Sequence, residues 1–232
     1  MSIDLPKTRE ELASRIDHTN LSPDAKREAI DKTIRDAKAH RFRSICIPPF
    51  WVPYAKRSLK TIKIPIDTVI GFPLGFTSTE AKMFETKWVL DHGADEIDMV
   101  MNLSAFKSGA VAKVKEEIAR IVNHVSPKVT KVIIETPYLN PKEIKRVSKL
   151  VVDAGAMFVK SCTGFGPRGV TEKDVQLMRE AIGKRGKIKA AGGIGDAKKA
   201  LKMMRAGANV IGASRGVEIM ETFKPQGDKI SK

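Results

Sequence analysis

Short runs rich in valine, isoleucine and other apolar residues alternate along the chain with longer segments in which apolar positions recur every three or four residues. The short runs have the length of strands, and the longer segments have the period of amphipathic helices. Strands are predicted at Ser44–Ile47, Thr68–Gly71, Glu96–Met101, Val129–Glu135, Met157–Ser161, Lys187–Ala190 and Asn209–Gly212, with a short first strand near Arg15–His18. Helices are predicted at Pro23–Ala39, Thr79–His92, Val111–Ser126, Pro141–Ala154, Glu172–Ile182, Asp196–Ala206 and Val217–Phe223, and the segment Trp51–Leu59 supplies one more. Strict alternation implies a parallel sheet with helices outside it. Eight such units favour closure into a (β/α)8 TIM barrel over an open sheet. A further helix at Thr8–Ile16 precedes the first strand and is expected to cap the bottom of the barrel. The chain has 232 residues with no linker or low-complexity stretch. That is close to the roughly 250 residues such a barrel takes, so residues 1–232 read as a single barrel domain.

A weak internal repeat sharpens the picture. Three helices end in a Gly-Ala pair, Gly93-Ala94, Gly155-Ala156 and Gly207-Ala208, each followed closely by a strand. Glycine suits the left-handed conformation that commonly follows a helix end. Five residues on from each glycine stand Asp98, Lys160 and Gly212. If the three units are equivalent, these positions share one height near the carboxyl ends of the strands, where barrel active sites are built.

The residue types at that height suggest covalent chemistry. Lys160 ends an apolar strand and precedes Thr163-Gly164-Phe165-Gly166, a run whose amides suit an anion. Alternation on the next strand puts Lys187 and Lys189 on one side with Ile188 opposite. The alternatives are two lysines on a solvated edge, or Lys189 inside the barrel beside Lys160. A lysine that attacks a carbonyl needs a depressed pKa, and a neighbouring cation or desolvation supplies it. Asp98 is flanked by apolar residues, so if buried it must be paired. It reads either as a structural partner of an interior lysine or as a proton shuttle. Glycines gather at Gly164, Gly192-Gly193 and Gly212, with Ser214 nearby, in the loops where barrels often hold phosphate.

Composition narrows the field. The net charge of +15 fits a nucleic-acid surface or a basic surface around a site for an anionic metabolite. Basic residues are spread along the chain and interleaved with acids, which favours the second reading and no nucleic-acid partner. No apolar run approaches the roughly 18 residues of a membrane span, and Met1–Glu11 lacks the apolar core of a secretory signal. Two widely separated cysteines, Cys46 and Cys162, fit a reduced, cytoplasmic compartment. His18, His40, His92 and His124 are scattered, and no metal-ligand set or cofactor motif is visible.

At this point the sequence resembles the deoxyribose-phosphate aldolases, a family of class I aldolases. The resemblance covers nearly the whole chain. It rests on Ile16-Asp17-His18-Thr19, Gly71-Phe72-Pro73-Leu74-Gly75, Glu96-Ile97-Asp98-Met99-Val100, Lys107-Ser108-Gly109 and Val132-Ile133-Ile134-Glu135-Thr136. Further matches are Phe158-Val159-Lys160-Ser161-Cys162-Thr163-Gly164, Ile188-Lys189-Ala190-Ala191-Gly192-Gly193-Ile194 and Ile211-Gly212-Ala213-Ser214. It implies reversible cleavage of 2-deoxy-D-ribose 5-phosphate to acetaldehyde and D-glyceraldehyde 3-phosphate, without a metal or cofactor, in a homo-oligomer. Lys160 then looks like the Schiff-base lysine, Lys189 like the second lysine that lowers its pKa, and Asp98 like the proton-shuttling acid. Asp17 looks like an acid supporting the lysines, and Cys46 like a substrate-pocket residue. Thr163, Gly164, Gly192, Gly193, Gly212 and Ser214 fall at substrate- and phosphate-binding positions.

The chain also departs from the family. Phe165 stands where some members carry a lysine, so one phosphate charge partner is missing. Arg215 stands where a second serine is common, and a contact from its guanidinium to phosphate would substitute for that serine. The tail from Phe223 to Lys232 holds no tyrosine for proton transfer, so Asp98 and water must suffice. Two rival readings stand beside this one. A sister aldolase acting on a ketose bisphosphate needs two phosphate sites, and one anion cluster is assignable. A non-catalytic phosphosugar-binding barrel gains nothing from paired buried cations.

Overall fold

The computed structural model describes residues 3–225. The tail from 226 onward, on which the expectation about proton transfer partly rests, lies outside the described residues. Eight parallel strands, β1 (Ile16–Thr19), β2 (Ser44–Ile47), β3 (Ile66–Ile70), β4 (Glu96–Val100), β5 (Val129–Ile133), β6 (Phe158–Lys160), β7 (Lys187–Ala191) and β8 (Val210–Ala213), pair in sequence order. β8 returns to β1 and closes the barrel. The helices are α1 (Arg9–Ala13), α2 (Arg27–His40), α3 (Val52–Ser58), α4 (Thr79–Asp91), α5 (Leu103–Lys107), α6 (Val111–Val125), α7 (Pro141–Asp153), α8 (Glu172–Ile182), α9 (Ala197–Ala206) and α10 (Gly216–Thr222).

The strand period of two sorts the side chains. Ile45, Ile47, Ile97, Met99, Val132, Val159, Ile188 and Ile211 face outward and are buried against Ile30, Val89, Ile118, Val147, Val175 and Met204 from the helices. This shell is the hydrophobic core. Several helix starts are fixed by side chains that accept otherwise unpaired amides. Ser78, Asn102 and Asp196 cap α4, α5 and α9, while Asn140–Glu143 and Thr171–Asp174 form reciprocal boxes at α7 and α8. Gly93, Gly155 and Gly207, the glycines of the repeat, all adopt positive φ. Among the described residues, no helix is long and apolar enough to cross a membrane.

The differences from the predicted elements have local causes. The first helix ends at Ala13, because the Ala13 and Ile16 carbonyls both accept the Arg43 amide as the chain turns into β1. α2 begins at Arg27, after a turn in which the Ala25 amide bonds the Ser22 carbonyl. β3 starts earlier than predicted, directly after Pro65. The five-residue α5 and the 3-10 turns Pro49–Trp51 and Thr136–Tyr138 are too short to carry a helical period, and the sequence pattern gave no sign of them.

Candidate active site

The strand register places an ionic cluster inside the barrel. A barrel of shear eight climbs two residues for every two strands crossed. The pairing Asp98–Lys131–Phe158 therefore leads to Lys160, and Lys160–Lys189–Val210 leads to Gly212. Gly212–Asp17–Ser44 leads on to Cys46. Cys46, Asp98, Lys160 and Gly212 thus form one layer from the even strands, at the common height that the Gly-Ala repeat implied. The same walk along the odd strands puts Asp17, Asp67, Lys131 and Lys189 in the layer beneath. Gly212 leaves room for its neighbour: a Cβ there would stand 2.9 Å from Lys189 Cε.

Asp98 is the hub of the two layers. Its Oδ2 accepts from Lys160 Nζ at 2.7 Å and from Lys189 Nζ at 2.7 Å, and its Oδ1 lies 2.8 Å from Lys131 Nζ. Lys189 also reaches Asp17 Oδ2 at 2.7 Å and Asp67 Oδ2 at 2.8 Å. Lys131 reaches Asp67 at 2.9 Å and Glu96 at 2.8 Å. Arg43 closes the underside, donating to Asp17 and Glu96 at 2.6 Å each, and Ser44 Oγ donates to Asp17 at 2.7 Å. Four carboxylates, Asp17, Asp67, Glu96 and Asp98, thereby face four cations, Arg43, Lys131, Lys160 and Lys189. Burying so many charges is tolerable only because each is paired.

The electrostatics differ from group to group. Burial opposes ionisation of Asp17, but Lys189, Lys131 and Arg43 outweigh it and hold the carboxyl below its ordinary value. Asp98 is held well below the usual range against the same burial by Lys131, Lys160 and Lys189. Asp67 goes the other way: burial and the neighbouring Asp98 charge raise it, so it takes a proton more readily than Asp17 or Asp98. Burial works against the Lys189 ammonium, yet Asp17, Asp67 and Asp98 raise it well above an ordinary lysine, so it stays charged. Cys46 is pushed up by burial and by Asp67 and remains a thiol.

Above the cluster, at the carboxyl ends of the strands, opens a cavity of about 680 Å³. Lys160, Thr163, Gly164, Gly192, Gly193, Gly212, Ser214 and Arg215 all line it. Asp17, Cys46, Asp98 and Lys189 lie beneath its floor, fully buried. Lys160, 2% exposed, is where the ionic cluster meets the cavity. Two of the amides expected to hold an anion are already engaged: Thr163 N–H donates to Glu135 and Phe165 N–H to Thr163 Oγ1. The Arg215 guanidinium lies over Gly195, where a Cβ would stand 2.9 Å from Nη1, and its Nε is 3.4 Å from Glu218. Lys187, on the same side of β7 as Lys189, is exposed at the lower end of the strand.

Several site residues escaped the sequence reading. Lys131, Asp67, Arg43 and Glu96 complete the cluster, and His18 is buried with Nε2 3.4 Å from Asp36. The signal for two of them was present. Lys131 and Asp67 are ionisable residues alone in apolar strands, the same feature that drew attention to Asp98. Two triads, Cys46–Asp67–Asp98 and Asp17–Asp67–Glu96, bring atoms of metal-ligand type within 4.8 Å of one another. Lysine ammoniums lie among these acids at 2.7 to 2.9 Å and supply the positive charge there.

Comparison with known proteins agrees with this geometry. The family model described as DeoC/LacD family aldolase matches residues 12–221. A deoxyribose-phosphate aldolase of Streptococcus mutans is 48% identical over 206 residues, covering 89% of this chain and 94% of the relative. One from Carboxydothermus hydrogenoformans is 45% identical over 214 residues, covering 90% and 94%. Among solved structures, an aldolase designated QR15 superposes with a TM-score of 0.87 at 39% identity, over 90% of this chain and 94% of its own. The tetrameric deoxyribose phosphate aldolase of Aeropyrum pernix does so with a TM-score of 0.85 at 34% identity, over 93% and 92%. With a lysine at the cavity floor held by a buried carboxylate, and a family match across nearly all of the barrel, the chain belongs to the DeoC/LacD family of aldolases.

Proposed function

We propose that the chain is a class I deoxyribose-phosphate aldolase with Lys160 as its nucleophile. The observation that carries this reading is the shared carboxylate: two lysines from adjacent strands donate to one oxygen of Asp98, and one of them reaches the cavity. In the cleavage direction the Lys160 amine adds to the C1 aldehyde of 2-deoxy-D-ribose 5-phosphate and loses water to give an iminium. The C2–C3 bond then breaks, its electrons pass into the iminium as an enamine, and the C3 hydroxyl proton leaves. D-glyceraldehyde 3-phosphate departs, the enamine is protonated at C2, and water releases acetaldehyde and the amine.

Asp98 is positioned to exchange protons with Lys160, and Lys189 keeps its own proton while competing for the same carboxylate oxygen. Asp17 and Asp67 hold Lys189 in place. Cys46, buried in the layer of Lys160, would lie behind the site of the two-carbon donor. Gly164, Gly192, Gly193, Ser214 and Arg215 would hold the phosphate at the far side of the cavity, with Thr163 and Gly212 shaping the space between. The proposal extends to a cytoplasmic enzyme in which residues 1–232 act as one barrel domain and copies assemble as a homo-oligomer, with neither nucleic acid nor membrane as partner. The tetrameric relative supports the assembly. Borohydride added with substrate should reduce the imine and fix a mass adduct on the Lys160 peptide. An adduct on Lys189 would reverse the assignment.

A further inference from the structure

Glu135 follows the end of β5 with a backbone that few residues adopt. Its φ of 50° and ψ of 66° lie in the left-handed region, which is costly for a glutamate. Its side chain turns back into the protein and is buried. Oε2 accepts the Thr163 amide at 3.0 Å. Oε1 is buried without a partner and sits beneath Gly166, where a Cβ would stand 3.1 Å away. The hydrogen bonds of this carboxylate do not reach the ionic cluster, so the catalytic chemistry does not account for it.

What Glu135 holds is a wall. Thr163 Oγ1 in turn accepts the Phe165 amide at 3.0 Å, and the Phe165 ring stands edge-on to Phe72, centroids 5.4 Å apart. Thr163 and Phe165 each line two cavities: the catalytic one, and a second of about 380 Å³ whose wall is mainly apolar, with Leu74, Phe76 and Leu103 on it, and carries Lys107 and Glu135 as its charged residues. That volume is within the range of small-molecule sites. The segment from Thr163 to Phe165 therefore divides a polar, glycine-lined compartment from an apolar one.

We propose that Glu135 is a positioning residue whose carboxylate latches this partition, and that the partition confines the acceptor aldehyde to the glycine-lined side, selecting a phosphorylated acceptor over an aliphatic one. The inference rests on the aldolase reading above. With the latch gone, Thr163 and Phe165 lose their fixed place. A phosphorylated acceptor then loses one side of its site, and an aliphatic chain gains the apolar compartment. The donor half of the reaction, imine formation between acetaldehyde and Lys160, does not involve this wall.

The test separates those halves. Acetaldehyde alone is trapped on the protein with borohydride, and condensation of acetaldehyde is then measured with D-glyceraldehyde 3-phosphate and with butanal as acceptors. Glu135→Ala should leave trapping within about twofold and raise KM for D-glyceraldehyde 3-phosphate with little change in kcat. The ratio of kcat/KM values should move toward butanal by roughly 10- to 100-fold, the scale of discrimination a small pocket achieves. Glu135→Gln, which keeps an oxygen for the Thr163 amide, should restore most of the ratio. Phe165→Ala, at a half-exposed position, removes the partition itself and should shift the ratio the same way; it decides the matter if Glu135→Ala does not fold. An unchanged ratio, an equal loss with both acceptors, or a Gln variant as altered as the Ala variant overturns the latch. Absence of trapping in the unaltered protein overturns the aldolase reading, and the latch with it.

Discussion

Replacing Lys189 with methionine removes one charge from a cluster that is balanced in the folded protein while keeping most of the stem. The ammonium lies 2.7 to 2.8 Å from three fully buried carboxylates, Asp17, Asp67 and Asp98. Breaking a buried ion pair from one side costs about 3 to 5 kcal/mol, because the partner's charge is left without compensation. For a chain of this size each kcal/mol lowers Tm by about 2 to 4 °C, so the loss at neutral pH should be roughly 6 to 20 °C. The sign of the pH dependence distinguishes charge from packing. In the unaltered protein Asp17 and Asp98 are depressed, so their stabilising contribution is present above the ordinary carboxylate range and is lost as pH falls. In the variant the same acids lose a cation, and Asp67, already raised, takes up a proton before Asp17 or Asp98 does. That uptake relieves the imbalance as pH falls, so the gap in Tm between the two proteins should narrow from pH 8 to pH 5. Adding Asp67→Asn in the Lys189→Met background should recover more than half of the loss by restoring the balance. Unfolding curves whose separation stays constant with pH, or a double variant no more stable than the single, would show that Lys189 is held by its packing and refute the electrostatic account.

Gly212→Ala should force the pinned Lys189 aside, costing about 1 to 3 kcal/mol of stability through overpacking and lowering kcat roughly 100-fold through displacement of the lysine pair; activity near that of the unaltered protein would show that the tail of Lys189 has slack. Arg215→Ala should raise KM for 2-deoxy-D-ribose 5-phosphate by about tenfold, the worth of one charged hydrogen bond, and leave the unphosphorylated sugar unaffected; an equal loss on both sugars would remove Arg215 from the phosphate site. Exhaustive chelation should leave cleavage intact, since lysine ammoniums supply the positive charge among the acidic triads; activity lost on chelation and recovered with Zn²⁺ would move the protein to the metal-dependent aldolases.

The layered geometry explains which parts of the site could be read from the chain. A barrel whose helices end in matched Gly-Ala pairs has equivalent βα units, so one offset marks one height, and it found Asp98, Lys160 and Gly212 together. The offset could not find Lys131 or Asp67. They lie on odd strands, one layer lower, and their helices carry no such pair. Glu135 stood in the sequence as the last residue of a predicted strand, but the strand ends at Ile133, and the backbone angle that sets Glu135 apart comes from the turn after β5, which no side-chain pattern reports.

The two layers also account for the cost that the fold accepts. Barrel interiors are usually filled by branched aliphatic residues, and the outward faces of these same strands are filled in that way, with Ile97, Val132 and Ile188 in the core. The inward positions of the two layers hold ions instead, except at Cys46 and Gly212. An apolar interior would pack as well, but it would leave a lysine at the cavity floor without a fixed acid. Asp98 can serve Lys160 only if something else holds its second oxygen and its orientation, and Lys131 does so at 2.8 Å. Lys131 in turn needs Asp67 and Glu96, and Lys189 needs Asp17 and Asp67. Each buried charge requires the next, down to Arg43, which is partly exposed to solvent at the lower end of the barrel. The cluster is therefore the supporting structure of one carboxylate, and its size follows from the rule that no ion can be left unpaired along the way.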